Sequence, residues 1–152
     1  MYITPAEVLG NIKGLSTDGE SQVTTELIQT FIDAGAAEIN NKLNGIYFMP
    51  VPDAPEEADA VDMYAMARAS LKTLLQYYCM MRVELFMNIQ GGFDEFMWQS
   101  VTNRKAYEKL YNEKMKALLE LREELPNVDM RELVSSDFPP SKYNELNTQP
   151  NW

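Results

Sequence analysis

The stretch from Asp33 to Pro52 constrains the fold of this chain more than any other, because a helix runs into it and cannot run out. Either Thr24 or Thr25 can cap the start of that helix, and Glu26 lies where the positive end of the helix dipole favours an acid. Leu27, Ile28, Phe31, Ile32, Gly35, Ile39 and Leu43 recur at spacings of three and four, which sets them on one face. Ala34, Gly35, Ala36 and Ala37 carry almost no side chain, so a neighbouring element can come close at mid-helix. Gly45 stops the helix, and Pro50 and Pro52 forbid an immediate restart. The spacing predicts a packing helix followed by an extended segment over Ile46 to Val51.

Upstream, Thr4-Pro5-Ala6-Glu7 is a capping box with proline at the first helical position, which predicts a short helix from Pro5 to about Ile12. A polar loop from Gly14 to Gln22 follows it. Downstream, after a loop from Pro52 to about Glu57, helical spacing runs from Ala58 to Ile89 through Val61, Tyr64, Ala65, Leu71, Leu74, Leu75, Tyr78, Cys79, Leu85, Phe86 and Ile89. Gly91-Gly92 ends that long helix. A last helix is expected from about Asp94 to Leu125, with Tyr107, Leu110, Tyr111, Met115, Leu118, Leu121 and Leu125 as its apolar stripe, and Pro126 ends it. Its other face pairs Lys105 with Glu108, Lys109 with Glu113 and Lys116 with Glu120, contacts worth a few tenths of a kcal/mol each. The aromatic run from Phe93 to Trp98 either packs on the core or contacts another chain.

The expected fold is therefore all-α, a small bundle with two long helices, a short extended element after the second helix and an extended C-terminal tail. Residues 1–125 form the helical domain and 126–152 the tail. Phe138, Pro139, Pro140, Tyr143, Leu146 and Trp152 punctuate the tail, and spaced aromatics on an extended segment suit docking onto a partner or folding back on the domain.

At 152 residues with 45% apolar composition, the chain has the length and content of one globular domain with a modest core. No apolar run approaches the ~20 residues of a membrane span, and the start lacks a basic segment followed by an apolar one. Synthesis in the cytoplasm and no membrane contact are the expectation. The single cysteine, Cys79, forms no internal disulfide and sits where a buried small hydrophobe fits.

The formal charge is −10, and residues 1–67 hold eleven of the 23 acidic side chains against two basic ones. Such a surface repels nucleic acid, which argues against a DNA reader and equally suits a solvated acidic face. The absence of histidine removes the usual general base and most transition-metal sites. Neither acidic loop, Asp18-Gly-Glu20 nor Asp53 to Asp62, has the calcium-loop pattern, and no glycine-rich loop precedes a lysine and a hydroxyl residue. Glu56-Glu57 and Glu123-Glu124 are paired carboxylates, but solvation or dipole effects account for them at a loop and a helix end. An enzyme and a resident cofactor are not expected.

One resemblance covers roughly Met1 to Leu125. Tyr2, Thr4 and Pro5, then Ala36 or Ala37, Ile39, Leu43, Gly45, Tyr47 and Pro50, resemble the head-tail connector, or neck adaptor, proteins of tailed bacteriophages. The resemblance continues through Ala67 to Tyr78 with Arg82, and through Tyr107-Glu-Lys-Leu110. It departs at Ile46, where the family places a basic residue, and at the chain end, where the family has a short glycine-containing tail. The resemblance implies a homo-oligomeric ring, commonly of twelve copies, between the portal protein and the tail or next neck protein of the virion. Double-stranded DNA would pass through it without sequence-specific binding. It also implies that Tyr47, Phe48, Met49, Pro50 and Val51 face the lumen or the next ring, while the tail reaches the portal. A free helical protein-binding module, regulatory or chaperone-like, is the alternative from the residues alone.

Overall fold

The computed structural model describes residues 2–10, 23–54, 61–91 and 95–131, with 87–91 and 95–102 described by their backbone alone. Four helices follow one another: α1 (Pro5–Gly10), α2 (Thr25–Leu43), α3 (Ala65–Gly91) and α4 (Glu95–Leu119). The all-α expectation holds, with two long helices, and no strand forms among the described residues. Beyond Gly10, the expected end of α1 near Ile12 lies outside the described residues.

The capping box closes as its chemistry requires. The Thr4 backbone N–H donates to Glu7 Oε2 at 2.8 Å, and the Glu7 N–H donates to Thr4 Oγ1 at 3.3 Å. For α2 the cap is Thr24, whose hydroxyl accepts from the Leu27 N–H at 3.1 Å. On the inner face of α2, Ile28, Ile32, Ile39 and Leu43 are all fully buried. Burying these four side chains stabilises the fold by roughly 6–12 kcal/mol before the entropy of ordering the chain is set against it.

Between Ile32 and Ile39 the stripe narrows to Gly35 and Ala36, and α3 presses in. What approaches is side chain rather than backbone: a Cβ built on Gly35 would lie 2.5 Å from Tyr78 Cδ1 and 2.6 Å from Leu75 Cδ1. Ala34 and Ala37 point outward. The small-residue run is thus half packing device and half good helix former.

Helices α3 and α4 make the largest interface between elements. They run antiparallel, since Ser70 meets Glu123, Tyr78 meets Tyr111 and Glu84 meets Asn103. Leu71, Leu74, Leu75, Tyr78, Cys79, Tyr111, Met115 and Leu118 are buried as their spacing predicts. So are Ala67, Met80 and Val83 on α3, which the periodicity did not single out. Burial pushes the Cys79 thiol up to about 12, consistent with an inert packing residue.

Two helix ends differ from expectation. Helix α3 starts at Ala65 rather than Ala58, because Asp62 organises its first turn. Its carboxylate accepts from the Tyr64 N–H at 3.0 Å and pairs with Arg68. Val61, outside the helix, is 92% exposed instead of joining the stripe. Helix α4 stops at Leu119 rather than Leu125. The Arg122 N–H returns to the Ala117 carbonyl at 2.9 Å and the Leu121 N–H to the Leu118 carbonyl at 3.4 Å, with Leu121 at φ 59°. That is a Schellman stop, with leucine where glycine is usual. Leu121 consequently leaves the stripe and is exposed, as is Leu110, whereas Leu125 is buried from the turn that follows.

Residues 126–131 pack on the helices instead of departing with the tail. Val128 joins the core, and Met130 pairs with Tyr47 in an isolated antiparallel bridge. The extended element after α2 is therefore half of a two-segment contact, held by the Phe48 N–H to the Asp129 carbonyl at 3.2 Å and the Arg131 N–H to the Ile46 carbonyl at 2.6 Å.

Candidate functional site

The N-terminal segment, the end of α2, the loop through Val51 and the strap 126–131 meet in one joint. Tyr2 is its first fastener: its hydroxyl donates to Asn40 Oδ1 at 2.9 Å and accepts from the Val51 N–H at 3.0 Å. Burial is the main cause of the upward displacement of its pKa. Lys72 on α3 reaches Glu7 of the capping box, tying α1 to the same region. That contact, ahead of the Thr4 N–H, holds the Glu7 carboxyl below the usual carboxylate range.

Tyr47 is the second fastener, fully buried under the end of α4. Its hydroxyl donates to the Glu123 carbonyl at 3.2 Å, with the Leu118 carbonyl at 3.5 Å. A helix end leaves carbonyls without intrahelical partners, and the tyrosine supplies a donor to that end from a distant part of the chain. Glu123 also anchors Lys114 at 2.8 Å, so the turn after α4 is held from two sides.

Arg131 closes the joint. Its guanidinium donates to the Tyr47 carbonyl at 3.3 Å and to Asn44 Oδ1 at 2.9 Å, and lies 4.8 Å from the centroid of the Phe48 ring. Asn127, at φ 61°, donates to the Met63 carbonyl at 2.6 Å, linking the strap to the approach of α3. Arg68 donates to the Pro52 carbonyl at 2.7 Å from the other side.

Around this frame several large apolar side chains are exposed. Phe48 is 52% exposed, Met63 56%, Met66 69% and Met130 45%. An open cleft of about 200 Å³ lies among Phe48, Met49, Pro50, Pro52, Tyr64, Asn127, Val128 and Asp129. Such a volume suits one or two side chains, well below the usual size of a cofactor pocket. The Met49–Pro50 peptide bond is cis.

The five loop residues singled out from the sequence thus divide. Phe48, Met49 and Pro50 line the cleft, whereas Tyr47 and Val51 face inward and are buried. A surface role for those two is corrected: alternation along extended backbone sends neighbouring side chains to opposite faces, and the joint takes Tyr47. Phe138, Pro139, Pro140, Tyr143, Leu146 and Trp152 lie outside the described residues, and so do the side chains of the Phe93 to Trp98 run. Sequence reasoning missed Arg131, Met63, Asn127 and Asp129. Only Asn127 carried a signal, as a residue type that tolerates positive φ just after a proline.

Among the described residues no group of three histidine, cysteine, aspartate or glutamate side chains is placed to hold a metal ion. Nor is any helix among them long and apolar enough to cross a membrane. No family model, curated protein or solved structure matches the chain.

Proposed function

We propose that this chain is the subunit of a tailed-bacteriophage neck adaptor, a homo-oligomeric ring that joins the portal of the filled head to the tail or the next neck protein and extends the DNA channel. The observation that supports it is a convergence. Residues that resemble the connector family, Tyr2, Ile39, Leu43 and Tyr47, are all buried around one joint, and Tyr2 reaches Val51 across 49 positions. Matches scattered at random along a chain have no reason to pack together.

In this reading the joint is the rigid base of a contact loop. Phe48, Met49 and Pro50 meet the lumen or the neighbouring ring, while Tyr47 and Val51 hold them from within. The tail, from Phe138 to Trp152, attaches to the portal through its aromatic anchors. Twelve copies, the number common in the family, would carry a formal charge near −120, and an acidic wall lets DNA pass without sticking. The subunit is made in the host cytoplasm and ends in the neck of the virion. Its work is binding and sealing, with no bond made or broken.

Deleting residues 137–152 tests the assignment, since it leaves every described residue, through Arg131, in place. The shortened chain is expected to keep its helical circular dichroism and to lose co-sedimentation with portal. Undiminished co-sedimentation would remove the tail from the portal contact. A full-length chain that stays monomeric beside portal would favour a free helical binding module.

A further inference from the structure

The cleft beside Phe48 is lined by two aromatic rings, Phe48 and Tyr64, and by Pro50 and Pro52. Walls of aromatic and proline side chains recognise extended proline-bearing segments, whose backbone is already restricted and loses little entropy on docking. The strap that forms one wall ends at Arg131, whose guanidinium lies over Phe48. Seven positions further on comes Phe138, followed by Pro139 and Pro140. That tether spans at most ~25 Å fully extended, so the segment starts its search from the rim of the cleft.

We propose that in the free subunit the cleft takes up the phenyl ring of the chain's own Phe138, beside Phe48 and Tyr64, with Pro139 and Pro140 at its open rim. Charge is consistent with this polarity: Lys142 is the one basic side chain in residues 132–152, two positions past Pro140, and Asp129 stands at the cleft wall. A short tether gives its own segment an effective concentration in the millimolar range, which favours it over the same segment of another copy. The cleft is then occupied until a partner takes the tail away. The inference does not rest on the neck-adaptor reading and concerns the isolated subunit.

Disulfide trapping in the full-length chain tests it, with Met63→Cys, the exposed neighbour of the cleft residue Tyr64, paired with Ser141→Cys past the prolines. A control pair uses Glu108→Cys, on the exposed side of α4, with the same Ser141→Cys. Cys79 is fully buried and should stay out of the exchange. The Met63→Cys pair is expected to form an intramolecular bond roughly tenfold faster than the control, as a docked tail would give. Phe48→Ala or Phe138→Ala should return it to the control rate while the helical circular dichroism is kept. A product of twice the monomer mass would mean that another copy supplies the tail and would overturn the proposal. So would a Met63→Cys pair no faster than the control, or one indifferent to both alanine substitutions.

Discussion

At the scale of single residues, Gly35, Tyr47 and Glu7 each carry a separable piece of physics. Gly35→Ala improves helix propensity by ~1 kcal/mol, but the new methyl must displace the Tyr78 ring and the Leu75 tip. Tyr78 is not free to swing away, because Arg82 donates to its hydroxyl at 3.1 Å and Tyr111 packs with a ring-centroid distance of 6.0 Å. Overpacking of this kind costs ~1–3 kcal/mol, so a net loss of about 1 kcal/mol is expected in urea unfolding. Tyr47→Phe removes one donor from the end of α4 and should cost about 1 kcal/mol, whereas Tyr47→Ala also opens a cavity and should cost ~3–5 kcal/mol.

Glu7 has a pH signature. Its folded pKa is depressed by Lys72 first and the Thr4 N–H second, so its contribution is present above the ordinary carboxylate range and is lost as pH falls through the depressed value. The Glu7 side chain is 39% exposed, which limits the lysine contact to a few tenths of a kcal/mol after solvent screening. The advantage of the wild type over Glu7→Gln in urea midpoint should therefore be measurable near neutrality and vanish in acid.

At the scale of elements, the caps of α1 and α2, the apolar stripes and the stops of α2 and α3 were legible, while the start of α3 and the stop of α4 were not. Thr4, Glu7 and Thr24 act locally, through hydrogen bonds spanning three residues, and local chemistry can be read from a sequence. The α2 stripe was legible for the same reason, because its spacing is the helix's own. The end of α4 was not, since Leu121 and Leu125 continue the apolar pattern past the true stop at Leu119. The stop is a Schellman turn built on Leu121, a residue type that does not announce a left-handed conformation, and Tyr47 braces the turn beyond it by donating to the Glu123 carbonyl from 76 positions away.

The cleft was half legible. Phe48, Met49 and Pro50 were singled out through the resemblance, but the residues facing them in the strap come from beyond Pro126, where the pattern predicts only tail. Leu121 offers a direct test of the stop. A non-glycine residue in the left-handed region is strained, and its side chain is substantially exposed. Leu121→Gly should raise the unfolding free energy by up to ~1 kcal/mol, with the helix content unchanged by circular dichroism.

At the scale of the whole molecule, an acidic chain combines a helical body with a C-terminal stretch whose sequence carries Phe138, Tyr143 and Trp152. The core lies among all four helices, so α1 and the strap are parts of one packed unit rather than appendages. Charge works at this scale too. Net charge of −10 disfavours self-association through general repulsion, so a ring needs specific apolar contact to overcome it. Exposed Phe48, Met63, Met66 and Met130 are available for that contact. Raising ionic strength should then strengthen assembly, because screening weakens the repulsion and leaves apolar burial intact. Sedimentation velocity at low and high salt would register the change, and a salt-weakened assembly would point instead to attraction between opposite charges.

The most direct measurement of the proposed role is electron microscopy of the purified protein mixed with the portal protein that role requires. A closed ring of this chain, commonly of twelve subunits, seated on the portal with its central channel continuous with the portal channel, is the expected result. Particles showing bare portal beside unassembled monomers, at concentrations where both are folded, would contradict it.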